Sequence, residues 1–275
     1  MAHQTALDLN DGRSIPQLGL GVWQVDDGEA PAVVGAALAA GYRLIDGAAA
    51  YRNERGVGAG VRQSGLPRDE VFVTSKLANS EHGYDEALRA CAASLAAFGF
   101  DALDLYLIHW PQPGRNRYVE TWKALVRLRE EGRVRSIGVS NFGPDHLKRI
   151  VDETGVVPAV NQVELHPRFQ QRRLRDLHAE MGIATQSWSP LGQGRLLDDP
   201  TIGAIAARHG KTPAQTIIRW HIDNGLLVIP KSVTPARIRE NVEVFDFALS
   251  EADLDAIAAL DDSAGRIGPD PDRFG

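Results

Sequence analysis

Short apolar runs alternate along this chain with longer segments in which apolar positions recur at helical spacing. The runs are mostly continuous rather than alternating, a pattern typical of parallel strands buried on both faces. They predict eight strands: Gln17–Trp23, Arg43–Asp46, Val71–Lys76, Leu103–His109, Val134–Ser140, Ala159–Glu164, Ile183–Trp188 and Leu226–Pro230. The longer segments predict helices, among them Ala30–Ala40, Tyr84–Phe98, Tyr118–Glu131 and Leu174–Met181.

A glycine precedes all but the first of these runs, where a helix would end in the left-handed conformation. These glycines are Gly41, Gly65, Gly99, Gly132, Gly155, Gly182 and Gly225. Strands that alternate with helices predict a parallel sheet of the α/β class. Eight repeats in 275 residues favour a closed (β/α)₈ TIM barrel over an open doubly wound sheet. No linker divides the chain, so we predict one barrel domain, residues 1–275.

Three additions to the barrel are predicted. Leu7–Leu20, with a turn at Asn10–Gly12, is expected to form a hairpin that closes the bottom of the barrel. Thr212 and Pro213 resemble a helix cap and first helical residue, which indicates two helices between the seventh and eighth strands. Ser250 to Asp253 resembles a capping box for a final helix to about Leu260. The tail, Asp261–Gly275, shows no helical pattern.

Composition narrows the class of protein. Hydrophobic residues make up 43% and charged residues 24% of the chain, as in globular domains. The net charge of −6 leaves no basic excess for phosphates, so we expect no nucleic-acid partner. Neither a signal-peptide pattern nor a run of ~18 apolar residues occurs, so we expect a cytoplasmic protein without a membrane span. The single cysteine, Cys91, cannot form an intrachain disulfide, and we expect it to be buried on a helix face.

Polar side chains crowd the ends of the predicted strands, where barrel enzymes place their active sites. Strand ends are also where polar residues first become tolerable, so this pattern alone leaves a structural explanation open. The residues concerned are Trp23, Asp46, Lys76, His109, Trp110, Ser140, Asn141, Gln162, Glu164, Trp188, Ser189, Lys231 and Ser232.

Two of these positions, together with Tyr51, suggest a proton donor. A lysine in a partly dry barrel mouth needs a counter-ion, and Asp46 on the neighbouring strand can supply it to Lys76. Tyr51 lies on the loop that follows Asp46. A lysine cation nearby is expected to lower the tyrosine pKa from ~10. A tyrosine so tuned can protonate a carbonyl oxygen as hydride reaches the carbon.

Several segments resemble the aldo-keto reductase family, in the right order and across almost the whole chain. They are Leu44–Glu54, Leu103–Pro111, Ser136–Phe142 and Ile229–Ser232. Two further segments, Asn161–Pro167 and Trp188–Gly194, are especially similar to the bacterial 2,5-diketo-D-gluconate reductase branch. The resemblance implies a barrel fold, NADPH as cofactor, reduction of small carbonyl substrates to alcohols, and a monomer.

The same resemblance implies roles for individual residues. The catalytic tetrad maps onto Asp46, Tyr51, Lys76 and His109, with Tyr51 as general acid and His109 orienting the carbonyl. Trp188 matches the aromatic residue that stacks on the nicotinamide. Ser140, Asn141 and Gln162 match the groups that bind its carboxamide. The 2′-phosphate site maps onto Lys231, Ser232 and Arg237. Further cofactor contacts are implied at Leu191, Gln193, Gly194 and Asn241, and substrate contacts at Trp23, Ala78 and Trp110.

The sequence departs from the family pattern at two positions. Gly47 stands where threonine is usual, and we expect it to loosen the backbone beside the cofactor. Ala78 stands where a pocket tryptophan is common. The substrate pocket is therefore expected to be wider and less aromatic than in the diketogluconate enzymes.

Two other functions are compatible with such a fold. One is a nucleotide-binding sensor with little turnover, although the complete tetrad favours an enzyme. The other is a metal-dependent hydrolase, but the strand ends lack a His/Asp ligand cluster and we expect no metal. We expect packing or surface roles for His166, His178, His209 and His221. Gly56–Gly60 is not a dinucleotide fingerprint because it lies inside a predicted helix.

Overall fold

Eight parallel strands form one sheet in the computed structural model, which describes residues 4–274. The strands are β3 (Leu20–Gly21), β4 (Leu44–Asp46), β5 (Phe72–Leu77), β6 (Leu103–Ile108), β7 (Val134–Ser140), β8 (Val160–Glu164), β9 (Ala184–Trp188) and β10 (Leu227–Val228). Their order in the sheet follows the chain. The sheet closes on itself because Gly19 N donates to the Val228 carbonyl at 2.8 Å and Val228 N donates to the Gln17 carbonyl at 2.8 Å. The predicted (β/α)₈ barrel is confirmed, although its first and last strands are shorter than predicted.

Helices link the strands and surround the barrel. They are α1 (Ala30–Ala40), α2 (Glu54–Gln63), α3 (Tyr84–Phe98), α4 (Tyr118–Glu130), α5 (Pro144–Thr154), α6 (Arg172–Met181), α7 (Pro200–His209), α8 (Pro213–Asp223), α9 (Pro235–Val242) and α10 (Glu251–Ala258). Two helices do lie between β9 and β10, and the Thr212 side chain caps α8 as predicted. Ser250 caps α10 in the predicted capping box with Asp253. Among the described residues, no helix is long and apolar enough to cross a membrane.

A hairpin covers the N-terminal end of the barrel, as predicted. Its strands are β1 (Ala6–Asp8) and β2 (Ser14–Pro16), which pair antiparallel. Asn10 Nδ2 donates to the Pro158 carbonyl at 2.9 Å. Ile15 is fully buried among the apolar side chains that fill the barrel interior. The hairpin therefore covers the end of the barrel opposite the carboxyl ends of the strands.

The outer core lies between the barrel wall and the helices. Cys91 is buried in it on α3, as predicted. A Cβ at Gly58 would lie 2.1 Å from the Phe98 carbonyl oxygen. The glycine-rich stretch of α2 therefore serves close packing against the end of α3, which agrees with its interpretation as helix.

The four histidines fill packing roles, as expected. His166, His178 and His221 are buried, and His209 Nε2 lies 2.9 Å from Asp253 Oδ2. Within residues 4–274, no group of three or more His, Cys, Asp or Glu side chains is placed to hold a metal ion.

Candidate active site

Lys76 is buried and connects two other residues of the predicted tetrad, Asp46 and Tyr51. Asp46 ends β4, Lys76 lies on β5, His109 directly follows β6, and Tyr51 ends a short 3₁₀ turn after β4. Lys76 Nζ donates to Asp46 Oδ2 at 2.7 Å, to the Gly47 carbonyl at 2.8 Å and to Tyr51 Oη at 3.4 Å. An ammonium group has three donors, so these acceptors use its full capacity. Tyr51 receives a hydrogen bond from the cation and keeps its own proton for another acceptor.

The charges of this group follow from burial and pairing. Burial works to lower the pKa of Lys76, but Asp46 and Tyr51 outweigh it, so the pKa lies above its usual value. Lys76 is therefore a cation, although its side chain is 0% exposed. Burial raises the pKa of Tyr51, and the opposing effect of Lys76 does not cancel that rise. The expectation of a lowered tyrosine pKa is thus wrong in its net direction, because desolvation outweighs the lysine.

His109 is electrically neutral near pH 7. Burial, followed by the charge of Lys76, lowers its pKa to about 3. The rings of Tyr51 and His109 meet edge to face, with 5.8 Å between their centroids. A neutral imidazole beside a protonated phenol offers two hydrogen-bond donors toward one oxygen atom.

Both backbone groups of Gly47, its N–H and its carbonyl, form hydrogen bonds. Its N–H donates to the Thr74 carbonyl at 2.9 Å, and its carbonyl accepts from Lys76. Both backbone groups of Gly47 are therefore paired, and the loosening expected from this glycine stays a prediction.

A second polar network connects the ends of β7, β8 and β9. Ser140 Oγ donates to the Gln162 carbonyl at 2.8 Å, and Trp188 Nε1 donates to Asn141 Oδ1 at 2.8 Å. Asn141 has φ of 63°, a left-handed conformation that asparagine tolerates better than most residues. Gln162 Nε2 donates to Asp46 Oδ1 at 2.7 Å and so joins this network to the lysine group. All four predicted carboxamide and stacking residues therefore lie together beside the tetrad.

A cavity of about 730 Å³ opens over both networks. Of the predicted residues, its wall contains Trp23, Asp46, Tyr51, Ala78, His109, Trp110, Ser140, Asn141, Gln162, Trp188, Gln193 and Lys231. Lys76 lies buried behind them, while Leu191, Gly194, Ser232, Arg237 and Asn241 lie outside this wall. The three predicted substrate-pocket residues thus share one cavity with Asp46, Tyr51 and His109.

Several lining residues were not predicted. Arg52, Asn79 and Ser80 follow Tyr51 and Ala78 directly, so their place on the same loops could have indicated them. Gly268 and Pro269 come from the C-terminal tail, where no local pattern indicated a site. The tail also places Phe274 against Trp110, with 4.6 Å between ring centroids. Phe274 thus packs on a residue of the cavity wall without being part of that wall.

The chemistry of the loop after β10 fits the phosphate of a nucleotide. Lys231 and Arg237 are exposed, and neither forms an ion pair within residues 4–274. α9 begins at Pro235, shortly after Lys231, and Arg237 lies in its first turn; the Thr234 side chain makes no capping hydrogen bond. The first N–H groups of a helix lack intrahelical partners and attract anions. Unpaired cations beside a helix N-terminus suit a 2′-phosphate better than a neutral ribose.

Comparison with known proteins agrees with this geometry. The aldo/keto reductase family model matches residues 17–262. Methylglyoxal reductase DkgA of Escherichia coli (strain K12) is 50% identical over 277 residues, covering 100% of both chains. An aldo-keto reductase of Mycobacterium sp. (strain KMS) is 59% identical over 266 residues, covering 97% of this chain and 96% of the relative.

Solved structures show the same similarity. Gox0644 in its apo form superposes with a TM-score of 0.95 at 54% identity, covering 98% of each chain. A Gox0644 variant in complex with NADPH superposes with a TM-score of 0.96 at 53% identity, covering 99% of each chain.

The fold, the site geometry and these relatives together define the protein as an NADP-dependent oxidoreductase. Within that class, the chain belongs to the aldo/keto reductase family, whose model matches most of its length. Its cofactor is NADPH, as the resemblance implied.

Proposed function

We propose that this enzyme reduces aldehydes, ketones and dicarbonyl compounds to alcohols, with Tyr51 as the general acid. The observation that carries the proposal is the hydrogen bonding of Lys76, which donates to Asp46, Gly47 and Tyr51 together. NADPH supplies the hydride that adds to the carbonyl carbon. As it does so, negative charge builds on the carbonyl oxygen and must be neutralised by a proton.

Each tetrad residue has a distinct part in that proton transfer. Tyr51 gives its hydroxyl proton to the oxygen, and the Lys76 cation stabilises the tyrosinate that remains. Asp46 keeps Lys76 charged and pointed at the hydroxyl. Neutral His109 donates a hydrogen bond to the same carbonyl oxygen and fixes its position. The raised pKa of Tyr51 keeps the acid protonated at neutral pH, as the donor in a reduction must be.

The neighbouring network binds the nicotinamide in this proposal. Trp188 provides the stacking surface, while Ser140, Asn141 and Gln162 meet the carboxamide. Lys231, Ser232 and Arg237 hold the 2′-phosphate, with Asn241 nearby on α9. Leu191, Gln193 and Gly194, on the loop after β9, would provide further contacts to the cofactor. We also propose that the chain acts as a single-domain monomer, since residues of one chain complete the site; its cytoplasmic location stays a prediction.

A carbonyl panel tests the proposed reaction. Purified protein with NADPH should oxidise the cofactor, measured at 340 nm, in the presence of methylglyoxal, phenylglyoxal, glyceraldehyde or a β-keto ester. Methylglyoxal is the first substrate to try because DkgA relatives are named for its reduction. A sensor protein would bind NADPH but turn over none of the panel. That outcome would contradict the proposal.

A large side chain at position 78 is expected to change substrate preference. Ala78→Trp should lower kcat/KM for phenylglyoxal relative to methylglyoxal by about tenfold, because each methylene-sized overlap in a pocket costs ~1–3 kcal/mol. Ala78 lies in the cavity wall and has an extended backbone that any side chain accepts. The measurement is the ratio of the two kcat/KM values. An unchanged ratio would place residue 78 outside the substrate site.

A further inference from the structure

The C-terminal tail crosses the mouth of the barrel without regular secondary structure. It leaves α10 and is first held at Asp261, whose Oδ1 accepts the Gln170 N–H at 2.8 Å, and then at Asp262, whose N–H donates to the Arg168 carbonyl at 3.2 Å. It then supplies Gly268 and Pro269 to the cavity wall. Beyond them, Phe274 packs on Trp110. The tail therefore forms part of the substrate pocket, and something must fix it where it passes the site.

One buried carboxylate holds the tail at this point. Glu164, the last residue of β8, is 1% exposed. Its Oε1 accepts the Ile267 N–H at 2.6 Å, and its Oε2 accepts the Gly268 N–H at 2.8 Å. His166 Nε2 lies 3.2 Å from Oε1. Both carboxylate oxygens are thus directed at successive backbone amides of a segment about a hundred residues away in sequence.

The ionisation of Glu164 agrees with this arrangement. Burial works to raise its pKa, but hydrogen bonds from His166, Gly268 and Ile267 outweigh burial and lower the pKa below its ordinary value. Hydrogen bonds to a charged acceptor are the stronger kind. The tail amides and His166 together therefore favour the charged form of the carboxylate.

Close packing ties the same tail segment to Trp188. A Cβ at Gly268 would lie 2.5 Å from Trp188 Cη2 and 3.0 Å from Glu164 Oε2. Only a glycine lets the tail backbone come this close to the indole ring. The hydrogen bonds to Glu164 therefore hold the tail against Trp188, the proposed stacking partner of the nicotinamide.

We propose that Glu164 is a positioning residue that fixes the C-terminal tail against Trp188 and thereby sets the size of the substrate pocket. This inference rests on the proposed function. Glu164 does not act on the reacting atoms; it determines where Gly268 and Pro269 lie. Substrates large enough to touch the tail depend on it, while small dicarbonyls do not.

Glu164→Gln tests the inference with little change in shape. The amide offers one acceptor and places an NH₂ group against one of the two tail amides, so one hydrogen bond is lost. Hydrogen exchange at Ile267 and Gly268 should accelerate by about tenfold or more, because a bond to a charged group is removed. KM for phenylglyoxal should rise by about fivefold, while kcat, the methylglyoxal kinetics and the NADPH Kd stay within about twofold.

Asp272→Asn is the matched control. Asp272 lies on the same tail, its side chain is 75% exposed, and it faces His146 at 3.9 Å. It should change neither the exchange rates at Ile267 and Gly268 nor the ratio of the two substrates. A general loosening of the tail by any charge removal would instead affect both variants.

Two results would overturn the inference. One is unchanged exchange at Ile267 and Gly268 in Glu164→Gln; the other is an equal loss with both substrates through kcat. If that variant does not fold, Gly268→Ala displaces the tail from Trp188 while leaving Glu164 intact, and it should raise KM for phenylglyoxal selectively. The exchange measurement needs no turnover, so it separates failure of this inference from failure of the proposed reaction.

Discussion

Tyr51→Phe is expected to lower kcat for NADPH-dependent carbonyl reduction by about 10²–10⁴-fold, the usual contribution of a general acid. The substitution removes the transferable proton but keeps the ring that meets His109 edge to face. Lys76 retains its bonds to Asp46 and Gly47, so the buried cation stays paired. NADPH affinity should therefore survive, and steady-state rates with a fluorescence-measured Kd separate the two effects.

Tyr84→Phe is the control for the loss of a tyrosine hydroxyl. Tyr84 is exposed at the start of α3 and lies outside the cavity wall, so its loss should leave kcat unchanged. If Tyr51→Phe keeps more than about a tenth of the wild-type kcat, Tyr51 is not the acid.

The pH profile of the wild type gives a second measure of the same assignment. Reduction requires protonated Tyr51, so the rate falls as pH rises through the pKa of this group. Burial raises that pKa above its ordinary value of 10.0, so the fall should begin only in the alkaline range. His109, with a pKa of about 3, stays neutral across the assay range and adds no step near pH 6. A rate that already falls as pH rises through about 6 would show that a different group supplies the proton.

Loss of the two cations at the start of α9 should weaken NADPH binding by about 10²-fold while NADH binding changes by less than about fivefold. NADPH differs from NADH only by its 2′-phosphate. Lys231 offers a point charge and Arg237 a planar fork to this dianion. Each charge-assisted hydrogen bond contributes about 1.5–3 kcal/mol, and solvent reduces the sum at these exposed positions. The test is the double variant Lys231→Ala, Arg237→Ala, with both Kd values measured by quenching of tryptophan fluorescence.

Arg239→Ala provides the matched control for this pair. Arg239 lies on the same helix and is also exposed, but the resemblance assigns it no contact with the phosphate. Its loss should leave the preference for NADPH within about twofold of the wild type. Equal weakening of NADPH and NADH in the double variant would mean that Lys231 and Arg237 do not recognise the phosphate.

Local sequence was sufficient for the order and kind of the elements. Buried parallel strands have continuous apolar runs, and capping residues such as Thr212 and Ser250 act on helices in their own neighbourhood. Because active sites of barrel enzymes lie at the carboxyl ends of the strands, the sequence also predicted that Asp46, Lys76 and His109 lie at the same end of the barrel. Residue chemistry suggested the pairing of Asp46 with Lys76 and a proton donor at Tyr51, whereas the role of His109 came from resemblance to a family.

Tertiary structure decided what depends on distance and burial. The direction of the Tyr51 pKa was predicted wrongly because desolvation depends on everything packed around the hydroxyl, whereas sequence showed only the lysine. The tail lay beyond prediction because it has no periodic pattern and its partner, Glu164, is about a hundred residues earlier in the chain. The spacing of apolar positions indicates which residues share a face of one helix or strand. A pocket wall, a carboxylate bonded to distant tail amides and a glycine packed against an indole ring arise where separate elements meet, and only the closed barrel places them there.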